Sequence, residues 1–253
     1  MNTGDRRECA TLARVSVVTV TLNNAAGLRQ TLNSLAGVQC QPLEVVIVDG
    51  GSTDDTAALV DTYRAKLEIR YTCEPDHGIY DAMNKGRSRC RGDLVHYLNA
   101  GDTVFGEPYS QVTQPCLLPV HVHDESGRFF FEEFIRHGGF GYCHQGILFA
   151  RNHPGYREEY RVAADLDLMI ACFPSGLQGL PRALGGGARF NVGGTSSLAG
   201  RARDREVRAI FYRRLPWWTA SRLQAAILLK SLLPRPVRRW LVKALHPGPA
   251  QAA

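Results

Sequence analysis

The sequence predicts an α/β fold: a mostly parallel sheet flanked by helices, followed by a basic helical extension at the C-terminus. Three observations predict it. Short apolar, β-branched runs alternate four times with helical patterns between residues 15 and 98, with short connections, which is how a parallel sheet covered by helices reads. An acidic or amide residue follows each of those runs. Charge is also unevenly divided. Arg201 to Lys243 holds twelve Lys and Arg against Asp204 and Glu206, a net of +10 in a chain of +6, which leaves the rest at −4.

The elements follow in order. VSVVTV (15–20) is a buried strand. Leu28, Leu32 and Leu35 share one face of a helix that Gly37 stops. EVVIV (44–48) is a second buried strand, broken by Asp49-Gly50-Gly51, after which Ser52, Thr53 or Asp54 caps a helix running through Tyr63. EIRYTC (68–73) is a third strand. A helix anchored by Ile79, Ala82 and Met83 then runs to about Arg89, entered through Gly78, whose freedom at positive φ allows a tight turn. LVHYL (94–98) is the fourth strand. Further on, LLPVHVHD (117–124) and CHQGILFA (143–150) read as strands, FFFEEFIRH (129–137) as a helix, and VAADLDLMIACF (162–173) as a helix with Ala163, Leu166, Ile170 and Phe173 inward. Residues 174–200 read as loop with a short strand, and helices return from 204. The expected divisions are a tail over 1–14, one domain over 15–200 and the extension over 201–253.

Composition excludes several classes. No run of eighteen apolar residues occurs, so no spanning helix is expected, and the N-terminus lacks the apolar core of a secretory signal. The seven cysteines, at 9, 40, 73, 90, 116, 143 and 172, are scattered and form no C-x-x-C, which points to reduced thiols in a cytosolic compartment. The basic extension points to an anionic surface, membrane lipid or nucleic acid. From Trp217 to Leu245 its leucines and aromatics mix with Arg222, Lys230, Arg238, Arg239 and Lys243, divided by Pro234 and Pro236. This is the pattern of an interfacial amphipathic helix and equally of a helix packed on the domain with its charges solvated.

Ligands of open parallel sheets bind at the carboxyl ends of the strands. Asn23, Asp49, Asp76 and Asp102 follow the four strands in turn. Each alone reads as a turn or cap residue; four at one edge read as a site. Neither G-x-G-x-x-G nor G-x-x-x-x-G-K-[ST] is present, so phosphates are not held by a glycine nest. A carboxylate-lined crevice accepts a diphosphate with a divalent cation between them, and Asp102 is placed to hold Mg²⁺ or Mn²⁺.

VTVTLNN, VVIVDGGSTDDT, EPDHGIYDAMNKG, LVHYLNAGD, YCHQGILFAR and YRVAADLDL resemble, in order and spacing, the family 2 inverting glycosyltransferases of GT-A, Rossmann-like fold. The resemblance covers residues 15–200 and is strongest to the branch building bacterial exopolysaccharides and glycolipids, colanic-acid-type enzymes included. It implies a nucleotide-binding half over 15–102 and an acceptor half over 103–200. It implies that Thr21, Asn23 and Asp49 face the base, Asp76 the base and ribose, Gly101 the nucleotide sugar, and that Asp102 is the metal ligand of a D-x-D element otherwise reduced to Asn99-Ala100-Gly101. Lys85 either approaches the pyrophosphate or braces Asp81. Asp165 stands where the family has its general base, with Ala164 replacing the preceding Glu; the alternative is a carboxylate answering a helix dipole. Asp167 reads as structural. His144 and Gln145 fall near the acceptor or the diphosphate, or form a polar strand edge; His121, His123 and Asp124 read as surface residues, and Gly193-Gly194-Thr195-Ser196 as a mobile loop or a turn. The activity implied is transfer of one sugar from a nucleoside diphosphate to a saccharide or lipid-linked acceptor at the inner face of the membrane, with no nucleic acid partner. Q-x-x-R-W, the mark of processive synthases, is absent. The competing readings are a nucleotidyltransferase, which would release pyrophosphate, and a non-catalytic sugar-nucleotide binder.

Overall fold

The computed structural model describes residues 13–123, 128–132, 135, 139–191 and 200–232. The chain folds as a mixed α/β structure with a central six-stranded sheet in the order β3-β2-β1-β4-β9-β6. These strands are β1 (Val15–Thr21), β2 (Glu44–Asp49), β3 (Ile69–Cys73), β4 (Leu94–Tyr97), β6 (Cys116–Leu117) and β9 (Ile147–Ala150). β3, β2, β1 and β4 are mutually parallel, and β9 runs antiparallel to both β4 and β6. Every residue of β1, β2 and β4 is buried, because helices cover both faces; this explains why these strands read as unbroken apolar runs rather than alternating ones.

Helices α1 (Ala25–Ala36), α2 (Thr56–Tyr63) and α3 (Ile79–Ser88) are the crossovers. Leu28, Leu32 and Leu35 of α1 are fully buried, as their spacing predicts. On α3, Ala82 and Met83 are buried, but Ile79 is exposed and anchors nothing. Gly86 lies where a Cβ would collide with Val18 Cγ1, so this glycine lets α3 settle onto β1 and β2.

A second sheet, in the order β5-β10-β7-β8, joins Thr103–Gly106, Gly186–Asn191, Val120–His123 and Phe129–Glu132. The expected helix over 129–137 is therefore wrong at its start. Phe129 to Glu132 pair antiparallel with β7 instead, because β7 offers an open edge and aromatic residues suit a half-covered sheet. The expected strand over 143–150 is also shortened: His144–Gly146 form a 3₁₀ turn before β9.

Helix α4 (Ala164–Cys172) buries Leu166 and Ile170. Helices α5 (Gly200–Arg214) and α6 (Trp217–Leu232) follow. Val207, Ile210, Phe211 and Ala220 are buried in the same core, so α5 and the start of α6 pack onto the body of the molecule. Residues 193–196 and 233–253, with Asp124 and Cys9, lie outside the described residues. Among the described residues, the six cysteines form no disulfide.

Candidate active site

Four loops leave the carboxyl ends of β1, β2, β3 and β4, and they are fastened to one another by their own polar groups. The Asn23 amide donates to Ser52 Oγ at 2.7 Å, and Asn23 Oδ1 accepts from the Thr53 amide at 2.8 Å. Asn23 takes a φ of +49°, a left-handed conformation that asparagine tolerates. Asn24 caps α1 through the Gly27 amide and donates its Nδ2 to the Ala100 carbonyl at 3.1 Å. Asp54 accepts from the Ala25 amide, which ties the second loop to the start of α1. Thr31, turned inward from α1, donates to the Asp102 carbonyl at 2.7 Å and accepts from the Gly101 amide at 3.0 Å.

Asp49 is fully buried at the end of β2. Its Oδ1 accepts from the Gly51 and Ser52 amides at 3.1 and 2.8 Å, and its Oδ2 accepts from the Tyr71 hydroxyl at 2.7 Å. The carboxylate holds the Gly50–Ser52 turn in shape. Asp76 Oδ1 accepts from the Gly78 amide, and Gly78 has a φ of +123°, the turn its sequence position requires. The other oxygen of Asp76 lies over Gly50, 2.6 Å from where a Cβ there would stand. The ends of β2 and β3 thus converge. Lys85 is spent: its Nζ donates to the Pro75 carbonyl at 2.8 Å and pairs with Asp81 at 3.0 Å. Of the two roles open to it, this is the brace. Asp81 also accepts from the His77 amide, so it closes the loop on itself.

Asp102 is buried beyond β4. Its Oδ2 accepts from Gln145 Nε2 at 2.8 Å, and burial pushes its carboxyl up to about 7 against the opposing hydrogen bonds from Gln145, Asn191 and Asn99. Gln145 is itself buried, with Oε1 accepting from the Cys143 thiol at 2.7 Å and its carbonyl accepting from His96 Nε2 at 2.7 Å. Because β9 is antiparallel to β4, the turn before β9 falls on the same sheet edge as the residues after β4, and His144 and Gln145 join the site that way. Burial, with His96 nearby, lowers His144 to about 4, so its ring is neutral at pH 7.

Three buried polar atoms stand without a hydrogen-bond partner at this edge: Thr21 Oγ1, Asn99 Oδ1 and His144 Nε2. They end β1, follow β4 and precede β9, three neighbouring strands. Among the described residues, no group of three or more His, Cys, Asp and Glu is arranged to hold a metal ion. The donor set at Asp102 is one carboxylate with the Asn99 amide oxygen nearby in sequence. Such a set fits a hard cation whose other ligands are water and phosphate oxygens, and it does not fit a protein-only cage.

Asp165 opens α4, partly exposed, and accepts from the Leu166 amide at 2.8 Å. It lies beside Tyr80 of α3. The Tyr80 hydroxyl donates to the Val162 carbonyl at 3.0 Å, and burial together with the Asp165 and Glu206 carboxylates raises its pKa. Tyr80 stacks on Tyr156 with centroids 5.1 Å apart, and Tyr156 meets Tyr97 and His144 edge to face. An aromatic seam therefore runs from Asp165 to the His144 side of the site. The start of α4 is held from α5: Glu206 accepts from the Arg161, Val162 and Ala163 amides, each at 2.9 Å. Asp167, only 1% exposed, takes two 2.7 Å bonds from Arg214 and is structural.

Glu206, Arg214, Thr31 and the tyrosine seam are not found by sequence reading. The available signals were slight: a lone Glu among the arginines of α5, and a threonine on the apolar face of α1. His121 and His123 are half-buried on β7 rather than fully at the surface, His121 stacked on Phe105 and His123 edge to face with Phe129, and His123 pairs in register with Asn191, whose Nδ2 donates to the Gly101 carbonyl.

The parallel four-strand core, the antiparallel β9 and the loop-built edge define the GT-A glycosyltransferase fold. Residues 16–110 match the family described as glycosyl transferase family 2. The chain is 29% identical over 251 residues to the PGL/p-HBAD biosynthesis glycosyltransferase of Mycobacterium bovis BCG, covering 90% of this chain and 93% of that protein. A shorter stretch of 101 residues is 37% identical to the validoxylamine A glucosyltransferase of Streptomyces hygroscopicus, covering 38% of this chain and 24% of that one. Among solved structures, S. aureus TarS 1-349 in complex with UDP superimposes with a TM-score of 0.62 at 17% identity, over 92% of this chain and 79% of that one. A longer S. aureus TarS structure gives the same score over 85% of this chain, which spans 43% of it. The Pyrobaculum calidifontis mannosyltransferase PcManGT, in complex with GDP-Man and Mn²⁺, gives 0.58 at 16% identity over 93% and 80%.

Proposed function

We propose that the protein is an inverting, metal-dependent hexosyl- or deoxyhexosyltransferase. It moves one sugar from a nucleoside diphosphate to a hydroxyl of a saccharide or glycolipid, in cell-surface glycolipid or exopolysaccharide synthesis at the cytoplasmic face of the membrane. What supports this reading is that Asp49, Asp76 and Asp102 lie at or beyond the carboxyl ends of the parallel strands β2, β3 and β4, with Asp165 beside Tyr80 at the start of α4. The relatives support the sugar-transfer chemistry, and the UDP and GDP-Man complexes of the two structural neighbours support a nucleotide-sugar donor.

In this reading the base and ribose lie over Gly50, between the first and third loops. Thr21 and Asn23 flank them, Asp76 meets the ribose side, and Asp49 shapes the floor through the turn it holds. Lys85 keeps the Asp76 loop closed through Asp81, and Gly101 lets the fourth loop turn past the donor, with a φ of +106°. Asp102 and the Asn99 amide oxygen hold the divalent cation, which when bound offsets the charge of the departing diphosphate. Gln145 fixes the orientation of Asp102, and His144, as a neutral ring, presents Nε2 toward the diphosphate or acceptor. The Asp165 carboxylate accepts the proton of the acceptor hydroxyl as that oxygen attacks the anomeric carbon. The carbon–oxygen bond to the diphosphate breaks on the opposite face, so configuration inverts.

Radiolabelled transfer across a panel of UDP-, GDP- and dTDP-sugars with Mn²⁺ tests the proposal. Asp165→Asn is expected to lose roughly a hundred- to ten-thousandfold in rate while binding nucleoside diphosphate as the wild type does. Unchanged transfer by that variant refutes the base assignment. A second reading, a non-catalytic sugar-nucleotide binder, is favoured by the single carboxylate at the cation position. Donor binding without hydrolysis or transfer for every donor would establish it.

A further inference from the structure

Helix α6 is apolar on both sides. Ala220 is buried and Leu223 and Ile227 are half-buried against the core, yet the opposite side exposes Trp217 by 70%, Trp218 by 56%, Leu228 by 60% and Leu229 by 66%. Trp218, Arg222, Ala225 and Leu229 follow one helical line, all exposed, and Arg222 is the single charge between Trp217 and Leu229. A surface helix of this size ordinarily turns polar residues to water, so an apolar face of this extent marks an interaction surface.

The charge beside that face is predominantly positive. After Glu206 the chain contains no Asp or Glu to its end, while Arg208, Arg213, Arg214, Arg222, Lys230, Arg235, Arg238, Arg239 and Lys243 follow. Arg213 and Arg214 are engaged by Glu159 and Asp167, whereas Arg203, Arg205, Arg208 and Arg222 are exposed on α5 and α6, against one exposed acid there, Asp204. Arg208 lies over the half-exposed Tyr212 ring, and the Tyr212 hydroxyl bonds Ser221 Oγ at 3.1 Å, so the cationic and apolar parts form one surface. No described helix is long and apolar enough to cross a membrane.

We propose that the exposed face of α6, flanked by the arginines of α5, docks on an anionic phospholipid bilayer, with Trp217, Trp218, Leu228 and Leu229 entering the interfacial zone and the arginines meeting lipid phosphates. Apolar insertion flanked by a clear excess of cations, with Asp204 the one exposed acid among the described residues of α5 and α6, is the complement of such a surface. Residues 233–253 are a poorer occupant, because they bring four more cations and no acid to a face already rimmed with arginine. The same α5 that supplies the arginines also supplies Glu206 and Arg214, which hold the start of α4. Docking therefore brings α5, and with it the start of α4 that carries Asp165, toward the lipid surface; this last step rests on the proposed transfer to a lipid-linked acceptor.

Flotation of the full-length chain with vesicles tests it. Phosphatidylcholine vesicles in which about a third of the lipid is phosphatidylglycerol should carry the protein up, and pure phosphatidylcholine should not. High salt should release it. Trp217→Ser with Trp218→Ser, and separately Leu228→Gln with Leu229→Gln, should each lower partitioning about tenfold or more, while the thermal shift on adding nucleoside diphosphate stays that of wild type. Equal binding to both vesicle types overturns the proposal, as does full binding by both double variants. A wild-type dimer in solution that the tryptophan variant abolishes, without vesicle binding, overturns it in favour of a second copy. None of these readouts uses sugar transfer, so they stand apart from the fate of the proposed activity.

Discussion

Removing the Glu206 carboxylate should loosen Asp165, the proposed base, without touching the loops proposed to hold the donor. In the Glu206→Ala variant, three amides at the start of α4 lose their acceptor together. Water replaces it readily at exposed Arg161 and in part at Val162, but Ala163 is buried and its N–H is left unsatisfied, at about 1–3 kcal/mol. Exchanging the Arg161 and Val162 bonds for water adds about 0.5 kcal/mol, and loss of a negative charge at the helix N-terminus adds a further ~0.5 kcal/mol. The sum is about 3 kcal/mol. At roughly 2–4 °C per kcal/mol for a chain of this size, the melting temperature should fall by about 6–12 °C. Asp165 lies two residues beyond Ala163, so kcat should drop about tenfold or more while the donor KM stays within about twofold, the pattern of a misplaced group that acts in the transition state. Glu206→Gln keeps one carbonyl acceptor and should recover much of both effects. Differential scanning fluorimetry and steady-state transfer kinetics read the outcome. A Glu206→Ala protein that melts with the wild type, or that loses donor affinity as steeply as turnover, refutes the reasoning.

The other expectations follow from the same contacts. Arg214→Met strands the buried Asp167 carboxylate and should cost about 3–5 kcal/mol in urea unfolding, whereas Arg214→Met with Asp167→Leu should recover most of that loss. Asp102 has a folded pKa of about 7 against an unfolded value near 3.9, so its ionisation leaves stability intact below about pH 4 and removes about 4 kcal/mol as pH climbs to 7. Asp102→Asn should therefore match wild type in melts at the acid end and exceed it at pH 8, while losing the Mn²⁺-dependent part of the nucleotide thermal shift. For wild type, Mn²⁺ affinity should strengthen about tenfold per pH unit up to 7 and level off above, as calorimetry can measure. In Gly50→Ala the new methyl stands 2.6 Å from Asp76 Oδ2 and pushes that flexible carboxylate aside, so nucleotide affinity should fall about tenfold with stability nearly unchanged.

Legibility in the sequence followed how locally each feature is determined. The four core strands and their crossover helices were readable because both faces of the sheet are covered, which forces runs such as VSVVTV and EVVIV to be continuously apolar. Strand β8 was not readable, since FFFEEFIRH has no period that separates it from a helix and only the partner edge of β7 makes it a strand. The site shows the same division. Position along the chain placed Asp49, Asp76 and Asp102 at one edge, because parallel topology does so by itself. Spacing says nothing about what a side chain then bonds: Asp49 turned out to hold its own turn and Tyr71, and Lys85 to hold Asp81 and Pro75. Gln145 reaches Asp102 only because β9 reverses direction beside β4, a fact of pairing that no local pattern carries.

The distribution of unmade hydrogen bonds then decides where a ligand gains most. The loops spend their amides and amide side chains on each other, through Asn23 with Ser52 and Thr53, Asn24 with Ala100, and Thr31 with Gly101 and Asp102. The proposed donor would therefore meet loops whose backbone is already ordered, and little further entropy would be lost in shaping them. Thr21 Oγ1, Asn99 Oδ1 and His144 Nε2 stand apart from this economy, each buried and unpartnered, each costing the protein about 1–3 kcal/mol until something bonds it. Pairing even one of them on binding returns that penalty to the complex, whereas a new contact to an amide already in use would have to displace an existing bond. Asn99→Leu or His144→Phe, which delete an unmet polar atom, should accordingly weaken binding of the proposed nucleotide sugar while leaving the unliganded protein as stable as wild type or more so.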